Sequence, residues 1–526
     1  MAYLLTHLVD DTAAQSPDQL AFRFGNQALT YAELARQSNQ LANLLRAEGV
    51  ERGDRVGIYL NRCLETAVAV YGILKAGAAF VPLDPAQPVA RTQYLLDNCT
   101  IKILLTNKSQ RRRLPDLLTN PGPLQLVIGG EAAWTGRKLP WAAIQSMTDS
   151  TPEVRILSDD LAYIIFSSGS TGQPKGIMHS HRSGLAYARL SVDLYGVKAT
   201  DVIGNFCALH FDQCTFGYFS SMLAGATTII VSDAHTKFPV SLLQLIEQEK
   251  MTIWYSVPLV MTQMIQSGAL AKHDLSALRW VKFGGEAFSP HQLVQLMAHM
   301  PNAIFSNVYG PAEVNQCTFY HIDEPPSPEA PIPLGEVWDD TEILILDAAD
   351  EPVTAGEVGE LLVRSSTRML GYWRDPERTE RSFFQHRKSG GPVQIFYRTG
   401  DLVCTSAGRS VAEIPRSRDV LLFMGRKDRQ IKTRGYRVEL EEVESILNAQ
   451  PGVLEAAVYP IKNGPEGLLI HALVVSDQSL EPPAIKQGMA LHLPAYSIPA
   501  EIRFVQALPR TDAGKIDRRS LQTLLA

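Results

Sequence analysis

LAYIIFSSGSTGQPKG, residues 161–176, is the stretch from which the rest of the chain can be read. Leu161–Phe166 is a short apolar run, long enough for one buried strand. It breaks into Ser167, Ser168, Gly169, Ser170, Thr171 and Gly172, then closes on Pro174, Lys175 and Gly176. Small residues let backbone N–H groups turn inward toward an anion. The hydroxyls add donors and Lys175 adds a positive charge. The combination predicts a phosphate cradle at the end of a strand. It is not a Walker A loop, because Pro174 stands where a glycine should precede the lysine, and it lacks dinucleotide GxGxxG spacing. A flexible Gly/Ser hinge is the plain alternative. The density of Ser, Thr, Gly and Lys directly after a strand argues against it.

Composition bounds the rest. At 526 residues the chain exceeds one hydrophobic core, and about two to four domains are expected. Hydrophobic residues make up 45% and charged residues 20%, with a net charge of −6, so neither nucleic acid nor an acidic membrane surface is an expected partner. The start, MAYLLTHLVDD, lacks a basic segment and a sustained apolar core, and no apolar run reaches membrane-spanning length. The cysteines at 63, 99, 207, 214, 317 and 404 show no CxxC pairing and read as reduced thiols of a cytoplasmic protein.

Outward from the cradle the chain alternates. Val56–Leu60 reads as a strand and Glu65–Ala76 as a helix closed by Gly77. Ile103–Thr106, Leu124–Ile128, Thr227–Val231, Thr252–Val257 and Leu278–Phe283 read as strands, and Val240–Lys250 and Pro290–Met300 as helices. The alternation predicts α/β layers with mainly parallel sheets. After a proline-rich crossing at Pro325–Pro333 come strand-like pieces, Glu342–Asp347 and Glu360–Arg364, and a surface loop at Gln385–Pro392. From about Asp428 the pattern is compact, with a helix at Glu439–Ala449 and strands at Leu454–Pro460 and Leu468–Val475. The expected fold is therefore α/β. Residues 1–427 form a large N-terminal domain of layered α/β subdomains plus a β-rich subdomain. Residues 428–526 form a small, mobile α+β C-terminal domain. The basic stretch Gly425–Arg437, at their boundary, is either a solvated face or a hinge with phosphate-facing charge.

Ten motifs in order then carry a resemblance: LTYAEL (29–34), LKAGAAFVPLD (74–84), LAYIIFSSGSTGQPKG (161–176), FDQC (211–214), NVYGPAE (307–313), GELLVRS (359–365), GYW (371–373), YRTGDL (397–402), GRKDRQIKTRGYRVELEEVE (425–444) and AGKIDR (513–518). The chain resembles the adenylate-forming superfamily, and within it the adenylation domains of nonribosomal peptide synthesis. The likeness covers nearly the whole chain.

The resemblance implies two steps with ATP and Mg2+. A carboxylate attacks the α-phosphate, giving an acyl-adenylate and pyrophosphate; a phosphopantetheine thiol then takes the acyl group. By resemblance, Ser167, Ser168, Gly169, Ser170, Thr171, Gly172 and Lys175 would bind ATP, with Thr171 and Lys175 at the β- and γ-phosphates. Glu313, with Thr171, would hold Mg2+, a hard cation that favours oxygen. Tyr309 would stack on adenine, Asp401 would accept from the ribose, and Arg426 would sit nearby. Gly285, Glu286, Asn307, Gly310 and Phe423 would complete the nucleotide site. Lys515 would be the catalytic lysine, bridging carboxylate and α-phosphate. Asp428 would be the hinge about which the small domain swings, and Lys432, Gly435 and Tyr436 would line the thiol tunnel.

Asp212 matches the aspartate that pairs with a substrate α-ammonium, which implies an amino acid. Family specificity positions map to Asp212, Gln213, Phe216, Tyr255, Lys282, Gly284, Val308, Gln316 and Cys317. The run Tyr309–Tyr320 is most similar to stand-alone prolyl–carrier protein ligases, whose pockets are largely apolar. Gln213, Lys282 and Gln316 depart from that. On a strand, Trp280, Lys282 and Gly284 share one face, so Lys282 points into the pocket, or else turns to solvent at the strand end; a one-residue slip would move it to the other face. A pocket lysine implies a polar or acidic amino acid; proline stays open. Ala312, in place of the family's usual threonine, opens a reading as a ligand-binding homologue with impaired turnover. No segment carries a phosphopantetheine serine or a condensation motif, so a carrier protein acting in trans is expected, with a CoA-ester synthetase as the alternative.

Overall fold

The computed structural model describes residues 2–526 except 170–172, 328–329, 388–389, 407–419, 464–466, 477–479, 512–515, 519 and 522–526. The cradle's apolar run forms the strand Leu161–Ser167, as its composition predicts. A second strand, Lys175–Ser180, lies antiparallel to it, with Ser167 opposite Lys175 and Phe166 opposite Gly176. Ser167 and Lys175, at the two ends of the cradle sequence, are thus paired across two antiparallel strands. A Cβ on Gly176 would meet the side chains of Ile164 and Phe166 at 2.9 Å, which explains a glycine there. Ser180 then caps the helix His181–Tyr195, its hydroxyl accepting from the Ser183 N–H.

This strand pair belongs to an eight-stranded sheet. Its centre is the parallel set Ala79–Pro82, Arg55–Ile58, Ile103–Leu105 and Leu126–Ile128. A second sheet has nine strands, with Thr227–Ile230, Val202–Asn205, Ile253–Ser256, Trp280–Gly284 and Ile304–Tyr309 side by side and parallel. Strands covered on both faces must be apolar throughout, which is why they read as continuous hydrophobic runs. After the proline-rich crossing, the chain enters a five-stranded antiparallel sheet, from Thr341–Leu346 to Leu421–Arg426. The surface loop expected at 385–392 begins as strand: Gln385, His386 and Arg387 pair with Ile395, Gln394 and Val393.

The small C-terminal domain has its own core, with Val438, Val443, Leu447, Val458, Val474 and Ile502 among the buried members. It opens on a hairpin, Gln430–Thr433 and Tyr436–Glu439, turned by Arg434 (φ 53°) and Gly435 (φ 82°). Positive φ at both central residues is the geometry that suits a two-residue hairpin turn. The domain rests against the large one. Arg91 and Glu442 form a buried ion pair at 2.7 Å. Tyr436 stacks on Tyr496, centroids 3.7 Å apart, and meets the ring of Phe211 edge-on. No helix among the described residues is long and apolar enough to cross a membrane.

Candidate active site

The two domains enclose a cavity of about 150 Å3 at the carboxyl ends of the parallel strands. Open α/β sheets place ligands at that edge. Of the residues singled out in the sequence, Ser167, Ser168, Asp212, Gln213, Tyr255, Gly285, Val308, Tyr309, Gly310, Gln316, Asp401, Arg426, Lys432, Gly435 and Tyr436 line it. Ser170, Thr171, Gly172 and Lys515 lie outside the described residues. The others sit behind the wall or away from it. The Asn307 amide donates to the Pro333 carbonyl, Cys317 is buried against the Tyr309 carbonyl, and Phe423 is half exposed.

One part of the site is crowded with charge. Glu313 is fully buried. Its Oε2 accepts from Arg437 Nη1 at 2.8 Å, its Oε1 accepts from the Tyr372 hydroxyl at 2.8 Å, and Lys175 Nζ lies 3.3 Å away. Burial alone would raise its pKa, but the Arg437 and Lys175 charges outweigh burial and hold the carboxyl far below the usual range. Lys175 has Glu439 as a second acidic neighbour at 3.9 Å. Burial, and after it the Arg437 charge, lower Lys175 to about 8. The small domain is pinned here by its backbone too. The Ser168 hydroxyl donates to the Arg437 carbonyl, and the Gly435 N–H donates to Glu286 Oε1 at 2.6 Å. A Cβ on Gly435 would meet Val257 at 3.1 Å, so the turn lies close against the large domain.

A second part centres on Asp401. It accepts from the Tyr309 hydroxyl at 2.5 Å and from Arg426. Arg426 also grips Asp428 with two hydrogen bonds, at 2.6 and 2.7 Å. One guanidinium thus ties the large domain to the first residues of the small one, in the bidentate geometry that arginine favours.

The third part surrounds Asp212 and Lys282. Asp212 bonds the Gln213 N–H at 3.0 Å, and burial lifts its carboxyl to about 6 against the pull of Lys432. Gln213 accepts from the Cys207 thiol at 2.7 Å. Lys282 is fully buried and does not line the cavity; it lies behind the Tyr255 ring of the wall. Its Nζ lies 3.6 Å from the ring centroid of Phe216, 4.0 Å from Tyr195 and 4.6 Å from Tyr255. It has no hydrogen-bond partner, and neither amide atom of Gln316 has one. Burial lowers the Lys282 pKa well below that of a free lysine.

Arg437 is the main site residue that sequence reading left without a role; it lies at the end of the basic stretch Gly425–Arg437. Arg91, His210 and Tyr496 also line the cavity, and no local pattern marks them.

With this geometry, comparison with known proteins is specific. The family described as AMP-binding enzyme matches residues 9–373, and its C-terminal domain matches residues 442–515. The chain belongs to the AMP-binding enzyme family. It is 33% identical over 522 residues to an L-proline--[L-prolyl-carrier protein] ligase of Streptomyces coelicolor, covering 97% of this chain and 94% of that one. It is 32% identical to Tyrocidine synthase 2 of Brevibacillus parabrevis over 98% of this chain, but spans only 14% of that protein's length. Among solved structures, the amide bond synthetase McbA of Marinactinospora thermotolerans superposes with a TM-score of 0.86 at 26% identity, covering 99% of each chain.

Proposed function

We propose that the protein activates an amino acid with ATP as an aminoacyl-adenylate and transfers it to the phosphopantetheine thiol of a separate carrier protein. The observation that carries this is one cavity holding Asp212 beside the Tyr309–Asp401–Arg426 group and the first residues of the cradle. Asp212 anchors the α-ammonium, a cation that relieves a carboxylate which burial has lifted to about 6. Asp401 orients the ribose, and Tyr309 presents its ring to adenine. Lys175 and the cradle hold the phosphates.

Glu313 fits Mg2+: it is an ionised oxygen donor already surrounded by countercharge. When bound there, the ion neutralises phosphate charge. In the arrangement described, Arg437 occupies that carboxylate. The first step therefore needs the small domain displaced about Asp428, and Lys515 is the residue proposed to bridge carboxylate and α-phosphate in that step. The arrangement described suits the second step, with the Gly435–Tyr436 turn on the cavity wall where a thiol arm would enter. The substrate is a polar or acidic amino acid. A role in natural-product biosynthesis is part of the proposal, supported by the identity to Tyrocidine synthase 2.

The 33% identity to the prolyl-carrier ligase favours proline as a second reading. The buried Lys282 argues against it, because a hydrocarbon ring offers nothing to an ammonium. Amino-acid-dependent ATP–pyrophosphate exchange over a full panel tests the first step, and loading of carrier proteins against free CoA tests the second. Exchange with at least one amino acid and thioester on a carrier are expected. ATP binding without any exchange would leave a ligand-binding homologue. Thioester on CoA alone would make the protein a CoA-ester synthetase.

A further inference from the structure

The large domain handles its other buried charges in a consistent way. Lys75, also buried, is held by the Asp10 carboxylate at 2.6 Å and the Asn39 carboxamide at 2.7 Å. Buried Asp201 is gripped by Arg279, Glu360 by Arg398, and Asp401 by Arg426. Lys282 alone among the buried lysines, arginines and carboxylates described has no polar partner. A buried ammonium left unpaired is among the most costly arrangements available to a protein. Three aromatic rings around Nζ offset part of this through cation–π attraction. They supply no hydrogen-bond acceptor along their faces.

The missing partners are of a definite kind. The Gln316 carboxamide lies beside the Tyr195 hydroxyl and interacts with it, and Tyr195 is one of the three rings around Lys282. Gln316 and Tyr255 both line the cavity that holds Asp212. A carboxylate placed between Lys282 and Gln316 would accept from both. The result would give Lys282 a carboxylate partner, as Asp10 is for Lys75. A neutral amide would answer the hydrogen bonds but not the charge. A hydrocarbon side chain would answer neither.

We infer that the amino acid is a dicarboxylic one, whose side-chain carboxylate is read by Lys282 and Gln316 while Asp212 holds its α-ammonium; this rests on the protein being an amino-acid-activating enzyme. Asp212 on the cavity wall and Lys282 behind Tyr255, one acidic and one basic, then match a substrate that carries both signs.

The test is ATP–pyrophosphate exchange with aspartate, glutamate, asparagine, glutamine, proline and leucine, for the wild type and for Lys282→Met and Gln316→Leu. A site built around a buried polar group discriminates strongly, so an acid should exceed its own amide by roughly a hundredfold in kcat/KM. Lys282→Met should abolish that preference, raise KM for the acid and improve the neutral amino acids. Gln316→Leu should weaken the acid by roughly tenfold and keep the order of preference. Thermal melting accompanies the assay. Lys282→Met should melt higher than the wild type without substrate, and the dicarboxylic substrate should raise the melting temperature of the wild type only. Exchange with proline or leucine and none with either acid would overturn the inference while leaving amino-acid activation intact. Exchange with no amino acid would overturn both readings.

Discussion

Glu313 and Lys282 are both fully buried ionisable groups behind the wall of one cavity, yet they are treated in opposite ways. Glu313 has more partners than a single charge needs: Arg437, Lys175 and the Tyr372 hydroxyl. Lys282 has none. The difference lies in where the compensation comes from. At Glu313 it is internal and includes Arg437 of the small domain, so it would be withdrawn if that domain were displaced. At Lys282 the neighbours are aromatic rings packed in the core of the large domain. The Glu313 carboxylate is already satisfied by protein groups; the Lys282 amine is not.

The sharpest way to break the comparison is to remove each charge in turn. Glu313→Gln strips the countercharge from two buried cations, which costs about 3–5 kcal/mol when no replacement is available. Its melting temperature should fall, and exchange should drop by roughly a hundredfold or more, because the phosphate charge loses its organising carboxylate. Lys282→Met should move the melting temperature the other way. Differential scanning calorimetry of the two proteins without ligands decides this. If both variants melt lower, Lys282 is compensated in the folded protein and the contrast fails.

The next effect is in pH. Burial lifts Asp212 to about 6 in the ligand-free protein, and an ammonium partner would draw it down again. Binding therefore requires a proton to leave as pH falls through about 6, and kcat/KM for any amino acid should fall tenfold per pH unit below that point. Lys282 runs the opposite way. Burial lowers its pKa in the free protein, and a bound carboxylate would raise it, so binding of an acid takes up a proton. Affinity for a dicarboxylic substrate should weaken as pH rises past the free lysine's pKa. The wild type with an acid should thus show a bell, and Lys282→Met with a neutral amino acid only the acidic limb. An alkaline limb that persists in Lys282→Met would assign it to another group, with Lys175, lowered to about 8, the first to examine.

The same contrast explains which features are legible in the sequence. The run from Leu161 announces a strand because its apolar residues are contiguous, and the period of two along Trp280–Gly284 places Lys282 with Trp280 and Gly284. The inward turn of Lys282 depends on its neighbours: Tyr255 and Ser306 lie opposite it on the flanking strands, and neither is near it in sequence. Arg437 is visible as one charge in a basic stretch, but its partner Glu313 is 124 residues away and meets it only through domain docking. The Arg91–Glu442 pair spans 351 residues and obeys no local pattern. The second strand at the cradle is hidden for a different reason: Lys175–Ser180 is short and mixes polar with apolar residues, so only its pairing with Leu161–Ser167 defines it.

The smallest expected effect comes from Ala312, which lies on the cavity wall one residue before Glu313. Its carbonyl is tied to His179 Nε2 at 2.9 Å, and burial lowers that histidine to about 4, so the contact is a hydrogen bond from a neutral imidazole. Only the side chain is free to change. Ala312→Thr adds a hydroxyl at the edge of the phosphate region, worth about 1 kcal/mol if it finds a phosphate oxygen. KM for ATP should fall by up to roughly fivefold, with selectivity among amino acids unchanged. Because the substitution touches the Glu313 side of the site and not the Lys282 side, it separates the two: a shift in amino-acid preference would mean that the regions are coupled through the strand end that joins Tyr309 to Gln316. A rise in KM would mean that Arg437, docked against Glu313, already fills the space a threonine would need.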